Sequence, residues 1–159
     1  MSEKIEILPY DSSWDSQLRN LAVTDDQLPY VGTVEALLEH QMEGWCYQVI
    51  CREEKAVGFF NLDELYGERY EFADEKDLGF RAFFIDRRYQ GMGIGSLVLK
   101  ELKAYVSTNY PHRTSVVLTV NCKNKLAYQL YVKCGFQDDG DLYHGGNAGP
   151  QHILRMNLT

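Results

Sequence analysis

Apolar and polar residues alternate from Lys4 to Leu8, the period of a half-buried strand, whereas Ser12 to Ala22 and Thr33 to Glu43 place their apolar residues at helical spacing, with Thr33 as an N-cap. Tyr47 to Cys51 and Val57 to Leu65 are strand-like and flank the polar turn Arg52-Glu53-Glu54-Lys55, which predicts a hairpin. Leu78 to Ile85 is aromatic, branched and too short for a helix, so it predicts a buried strand. From Ile94 to Val106 the residues Ile94, Leu97, Val98, Leu102, Tyr105 and Val106 share one helical face. A second buried strand follows at Thr114 to Val120, then a helix from Asn124 to Cys134 and strands at Phe136 to Tyr143 and His152 to Leu158. The order predicts a mixed α/β sheet with helices on both faces.

The junction between the Leu78 to Ile85 strand and the next helix reads Asp86-Arg87-Arg88-Tyr89-Gln90-Gly91-Met92-Gly93-Ile94-Gly95-Ser96. Glycines there leave backbone N–H groups unobstructed, and the first turn of a helix adds unpaired N–H groups and the positive end of its dipole. Such a junction suits a phosphorylated ligand. It is not a P-loop, because no Lys stands between Lys76 and Lys100. Nor does it fit a dinucleotide fingerprint: the position that needs the third glycine holds Ser96 or Val98, and no Asp or Glu stands between Leu102 and Gln137 to hold a ribose.

Downstream, the strand ending in Leu118-Thr119-Val120 runs into Asn121-Cys122-Lys123-Asn124 and a helix that closes with Gly135-Phe136. Together the two segments resemble the GNAT acyltransferase superfamily. Gln90, Gly93 and Gly95 match its pyrophosphate loop, and Asn124, Ala127, Leu130, Tyr131, Gly135 and Phe136 match its later Asn-x-x-Ala helix with a Leu-Tyr pair. The resemblance implies a GNAT-like, mostly antiparallel sheet of about seven strands with splayed central strands, binding acetyl-CoA without a metal. It implies that Gln90, Gly91, Met92, Gly93, Ile94, Gly95 and Ser96 hold the pyrophosphate, and that backbone groups of Phe83, Phe84 and Ile85 meet the pantetheine arm and the thioester carbonyl. Asn124 would bond the coenzyme arm, cap its own helix, or do both. Tyr131 would protonate the departing thiolate, since a phenol near pKa 10 lies close enough to a thiol near about 8.5.

The general base does not carry over. Many relatives place an acid inside the strand before the glycine loop, and Leu78 to Ile85 has none. Asp63 and Glu64, read as carboxylates at a strand end, are the nearest candidates. From Asp63 to Asp77 seven acidic residues face only Arg69 and Lys76, so this stretch repels an anionic acceptor, and Asp138, Asp139 and Asp141 add to the field if they face it. The family places the acceptor groove beside this stretch, which points to a small cationic amine. The tail Tyr143 to His152 resembles the mobile loop of family members that act on small amines, polyamines included. A protein lysine or N-terminal acetyltransferase and a non-catalytic coenzyme A sensor are the alternatives.

Composition adjusts this picture in four places. At 159 residues, with four prolines and no Ser/Gly-rich linker, the chain reads as a single domain over 1–159. Gly79 to Gln137 holds nine basic and two acidic residues within a chain of net charge -7, so the half bearing both motifs complements coenzyme phosphates. A pI near 5.1 argues against nucleic acid as a partner. The four cysteines form no C-x-x-C pair and read as buried, reduced thiols. The charged start MSEKIEILPY lacks the apolar core of a signal peptide or membrane anchor, so a cytoplasmic enzyme is expected. Relatives that dimerise through sheet edges make a homodimer an expectation as well.

Overall fold

The computed structural model describes residues 4–22, 24–25, 28, 32–146 and 148–159. Strands β1 (Ile5–Pro9), β2 (Trp45–Arg52), β3 (Lys55–Asp63), β4 (Asp77–Ile85), β5 (Ser115–Asn121), β6 (Gln137–Tyr143) and β7 (Gln151–Asn157) form a seven-stranded sheet in the order β1-β2-β3-β4-β5-β7-β6. β4 and β5 are parallel, while β1/β2, β2/β3, β5/β7 and β6/β7 pair antiparallel, which is the mixed, mostly antiparallel sheet expected. The helices among the described residues are α1 (Asp15–Leu18), α2 (Val34–Glu39), α3 (Tyr66–Arg69), α4 (Ile94–Asn109) and α5 (Lys125–Lys133). The chain divides into two compact units, Met1–Asp63 with Arg81–Val98 and Glu64–Phe80 with Leu99–Thr159.

In the first unit two helices are shorter than their spacing predicts. Ser12 to Ala22 becomes a 3-10 turn at Ser12–Trp14, capped by Asp11, followed by α1, which stops at Leu18. The Asn20 side chain donates to the Ser16 carbonyl at 3.1 Å, and the Leu21 N–H reaches back three residues to Leu18, so the helix tightens and ends. α2 is capped by Thr33 as expected, its hydroxyl accepting from the Ala36 N–H at 3.2 Å. It ends at Glu39 rather than Glu43, where Gln41 donates to the Leu38 carbonyl at 3.2 Å. The core beneath joins Leu18, Leu38, Val49, Phe59 and Phe84. In the β2–β3 hairpin Arg52 pairs with Lys55, so Glu53 and Glu54 alone make the turn, with φ of 52° and 67°. Both sit in the left-handed region that favours glycine.

In the second unit the sheet faces are occupied differently. α3 seats Tyr66 against Val117 of β5 and Ile153 of β7. Gly79 of β4 is required there, because a Cβ would fall 2.2 Å from the Tyr66 ring. α5 covers the other face, where Phe80, His152 and Leu154 project between those positions. The acidic stretch before β4 is tied down by Asp77, which accepts from the Ser115 hydroxyl, from the Asp74 N–H at 2.9 Å and from Arg155 Nη1 at 2.6 Å. Arg155 also donates to the Phe72 carbonyl at 3.1 Å. β6 is the outer strand, exposed along most of its length and kinked between Asp138 and Leu142, with Gly140 at φ 89°. Asn147, in the tail between β6 and β7, lies outside the described residues.

α4 buries Ile94, Val98, Leu99, Leu102 and Val106. Leu97, expected on that face, is 42% exposed, and Leu99 lies in the core instead. The buried row recurs every four residues, so position 97 falls outside it.

Candidate active site

The glycine loop is shaped by residues on either side of it. Asp86 is 1% exposed; its carboxylate accepts from the Arg88 N–H at 3.2 Å, from Arg88 Nε at 3.0 Å and from Nη2 at 2.6 Å, while its own N–H donates to Val57 at 2.8 Å. That fixes a 3-10 turn at Arg87–Tyr89. Gln90 then donates through Nε2 to the Ile85 carbonyl at 3.0 Å, bracing the loop across its base. Gly91 and Gly93 follow at φ 82° and 78°, a Cβ at either would meet nothing within 4 Å, and Met92 between them is 53% exposed. Ile94, Gly95 and Ser96 form the first turn of the sixteen-residue helix α4. Bare backbone in a left-handed turn, open space around it and a long helix N-terminus are what a pyrophosphate requires, so these residues fit the coenzyme.

On β4, Phe84 and Ile85 are buried, and Phe83 meets Phe60 edge-on at 6.4 Å. With the side chains packed inward, the chemistry this strand end can offer is that of its N–H and C=O groups. Ala82 has φ 54°, in the left-handed region, and Arg81, Ala82 and Phe83 are all half-buried, so the in-out alternation of the strand is lost there. Neither Ala82 nor Asp86 was among the candidates read from the sequence. Asp86 could have been found as an Asp two residues before an N–H it caps; alanine carries no such signal.

Tyr131 sits on α5 with its ring edge-on to Phe80 at 6.2 Å and to Phe136 at 5.6 Å. Loss of solvent pushes its phenol up, which keeps the proton on it and makes it a weaker acid than a free tyrosine. Asn124 is buried at the helix start, yet its side chain makes no capping bond, which corrects that expectation. Its ψ of 67° is far from the extended value that aims a cap oxygen at the first-turn N–H groups. Asn121 is the turn residue, accepting from the Lys123 N–H and donating to the Ala148 carbonyl, each at 2.9 Å.

The paired strand-end carboxylates part company. Asp63, expected in solvent, is 0% exposed and lies 3.4 Å from Arg81, whose guanidinium stacks 5.3 Å over Trp45. Its carboxylate is turned to Arg81 and closed off from solvent. Glu64 is 42% exposed, 3.7 Å from Arg113, and lines an open cleft of about 1100 Å³ with Glu68, Asp74, Glu75 and His112. Within the second unit, Tyr131 belongs to the sheet face covered by α5, and the Glu64 cleft to the segment around α3 on the opposite face. Asp138 and Asp139 are engaged on their own side, Asp138 3.5 Å from His152 and Asp139 3.6 Å from Arg155.

The family model described as the Acetyltransferase (GNAT) family matches residues 10–136. The chain belongs to that family. As a GNAT acetyltransferase it takes its acetyl group from acetyl-CoA. The acetyltransferase is 31% identical over 135 residues to a spermine/spermidine N(1)-acetyltransferase of Bacillus subtilis strain 168, covering 80% of this chain and 84% of the relative. It is 30% identical over the same length to a probable spermine N(1)-acetyltransferase of Bacillus subtilis subsp. natto. Among solved structures it shares its fold with an aminoglycoside acetyltransferase bound to coenzyme A and kanamycin (TM-score 0.79, 15% identity, 97% and 95% of the two chains). A Vibrio cholerae spermidine N-acetyltransferase in complex with CoA and spermine has the same fold (TM-score 0.72, 18% identity, 97% and 95%). No helix among the described residues is long and apolar enough to cross a membrane.

Proposed function

We propose that residues 1–159 act as one acetyltransferase domain that moves the acetyl group of acetyl-CoA to a primary amine of a polyamine such as spermine or spermidine. The observation that carries this reading is the 31% identity to a spermine/spermidine acetyltransferase over 80% of the chain. The cleft that Glu64, Glu68, Asp74 and Glu75 line together with Lys76 and Arg113 keeps a negative balance, a field that draws a multiply charged cation toward the protein. Cys51 is buried, the other three cysteines, expected buried, are half-buried, and none of the four forms a disulfide, which suits a cytoplasmic setting.

In this mechanism the Gly91–Ser96 amides hold the pyrophosphate, and backbone groups of Phe83, Phe84 and Ile85 hold the pantetheine arm and polarise the thioester carbonyl. Asn124 bonds the coenzyme arm. A neutral amine nitrogen attacks the carbonyl carbon, the N–C bond forms and the C–S bond breaks. Tyr131 donates its proton to the departing thiolate sulfur, and the proton lost by the amine leaves through water, since Glu64 lies on the opposite sheet face from Tyr131. Asp63, held by Arg81, is left an electrostatic part.

Thiol release measured with spermine, spermidine, monoamines and lysine peptides tests the reading. Polyamines are expected to give the highest kcat/KM, and their KM should rise with salt, because exposed charges are screened over about 8–10 Å. A peptide or an uncharged amine acetylated more efficiently overturns the acceptor assignment, and release with none of them favours a coenzyme sensor. Tyr131→Phe should lower turnover about ten- to a thousandfold at nearly constant acetyl-CoA affinity.

A further inference from the structure

α5 has a thin hold on the sheet. Nine residues long and without a fully buried side chain, it carries Leu126 at 78% exposure and Val132 at 42%. One anchor is Tyr131 itself, between Phe80 and Phe136. A second lies three residues earlier on the same side of the helix. The Tyr128 hydroxyl donates to Asp138 of β6 at 2.8 Å, and its ring lies tilted at 42° against His152 of β7, centroids 4.4 Å apart. His152 Nδ1 stands 3.5 Å from the same carboxylate, and Asp138 in turn accepts from the Gly140 N–H at 2.8 Å. A phenol, a carboxylate and an imidazole from three elements thus meet at one point. None of them has a part in the chemistry assigned above.

We propose that Tyr128, Asp138 and His152 are positioning residues for acetyl transfer: they pin α5 to β6 and β7 and thereby set where the Tyr131 hydroxyl stands. This rests on reading Tyr131 as the acid. A nine-residue helix seated by half-buried side chains such as Ala127, Leu130 and Tyr131 can roll on that apolar contact, and a roll of one side chain's width moves a hydroxyl out of donor range. The Tyr128 hydroxyl has a directional bond to a strand, so it fixes the rotation that apolar packing leaves soft. Asp138 is held in turn by the kink at Gly140, which makes β6 part of the brace.

The experiment is a double-mutant cycle of Tyr128→Phe with Tyr131→Phe, reading kcat, both KM values and melting temperature. Tyr128→Phe alone is expected to lower kcat about three- to tenfold, leave both KM values within about twofold and barely move the melting temperature. On the Tyr131→Phe background it should lower kcat no further, because no hydroxyl remains to be placed. Asp138→Leu, which removes the acceptor from the other side, should reproduce both results. Equal losses with and without the Tyr131 hydroxyl overturn the proposal and make the cluster a plain stabilising contact, as does an unchanged kcat in Tyr128→Phe. Full turnover in Tyr131→Phe alone would remove the acid reading and this proposal with it, and that single variant tells the two failures apart.

Discussion

The glycine loop and the acidic segment from Glu64 to Asp77 are both short polar stretches flanking β4, yet they keep their shapes by opposite means. In the loop the partners are near in sequence: Asp86 holds Arg88 two residues on, and Gln90 holds Ile85 five residues back. In the acidic segment they are far away: Asp77 is held by Ser115, 38 residues on, and by Arg155, 78 residues on, and Arg113 reaches the Glu75 carbonyl across 38. A run of like charge that looks like a free field in the sequence is in part a folded cap with its own cations. The loop, by contrast, is open: a Cβ at Gly91 or Gly93 would meet nothing within 4 Å.

The comparison breaks first at Arg155. Arg155→Met should leave the Asp77 carboxylate buried without its cation and destabilise the protein by about 2–3 kcal/mol, below the full value for a buried pair because Arg155 is 30% exposed. Urea unfolding reads this directly, and Glu64→Gln, which weakens a partly exposed ion pair at 3.7 Å, should shift stability by less than about 0.5 kcal/mol. On the loop side, Gly93→Glu should weaken acetyl-CoA binding at least about tenfold, near 1.4 kcal/mol, by calorimetric titration. Gly93→Ala separates strain from charge: with open space around the Cβ, its cost is the left-handed φ alone, about 1–2 kcal/mol of stability.

A smaller effect follows from pH. Burial by itself would lift the Asp77 carboxyl, but Ser115, the Asp74 N–H and Arg155 together hold it below its unfolded value. The stability it contributes is therefore complete above that unfolded value, about 4, and is lost as pH falls through the folded one. In Arg155→Met the folded value rises toward or past the unfolded one, so the stability lost on acidification should shrink or reverse. At the alkaline end Tyr47, pushed up to about 12 mainly by burial, contributes below about pH 10 and its contribution fades as pH rises toward 12. In the opposite direction, Glu54→Gly relieves one left-handed residue in the β2–β3 turn and should raise stability by about 0.5–1 kcal/mol, read as a later urea midpoint.

What the sequence made legible follows the same division. Every strand expected from alternation or apolar runs is present, and the glycine loop, the Thr33 cap and the α5 helix stand where local residue chemistry puts them. Contacts with distant partners left no local trace: Arg81 on Asp63, Arg155 on Asp77, and Asp138 with His152 on Tyr128. Backbone departures at residues without a turn signature were equally silent, as at Ala82, Glu53 and Glu54, where tertiary packing or hairpin register overrides preference. α3 was hidden for a third reason, since four residues around Tyr66 are too few to show a period.

The outer strand has one more consequence. An unpaired β edge is a template on which stray strands add, and long flat ones seed aggregates. β6 defends itself in two ways at once: Asp138, Asp139 and Asp141 load it with negative charge, and the kink at Gly140 breaks the straight row of donors and acceptors that an incoming strand would copy. A second molecule offering the same edge would meet repulsion and a mismatched ladder. Colloidal solubility on that flank is thus written into three carboxylates and a glycine.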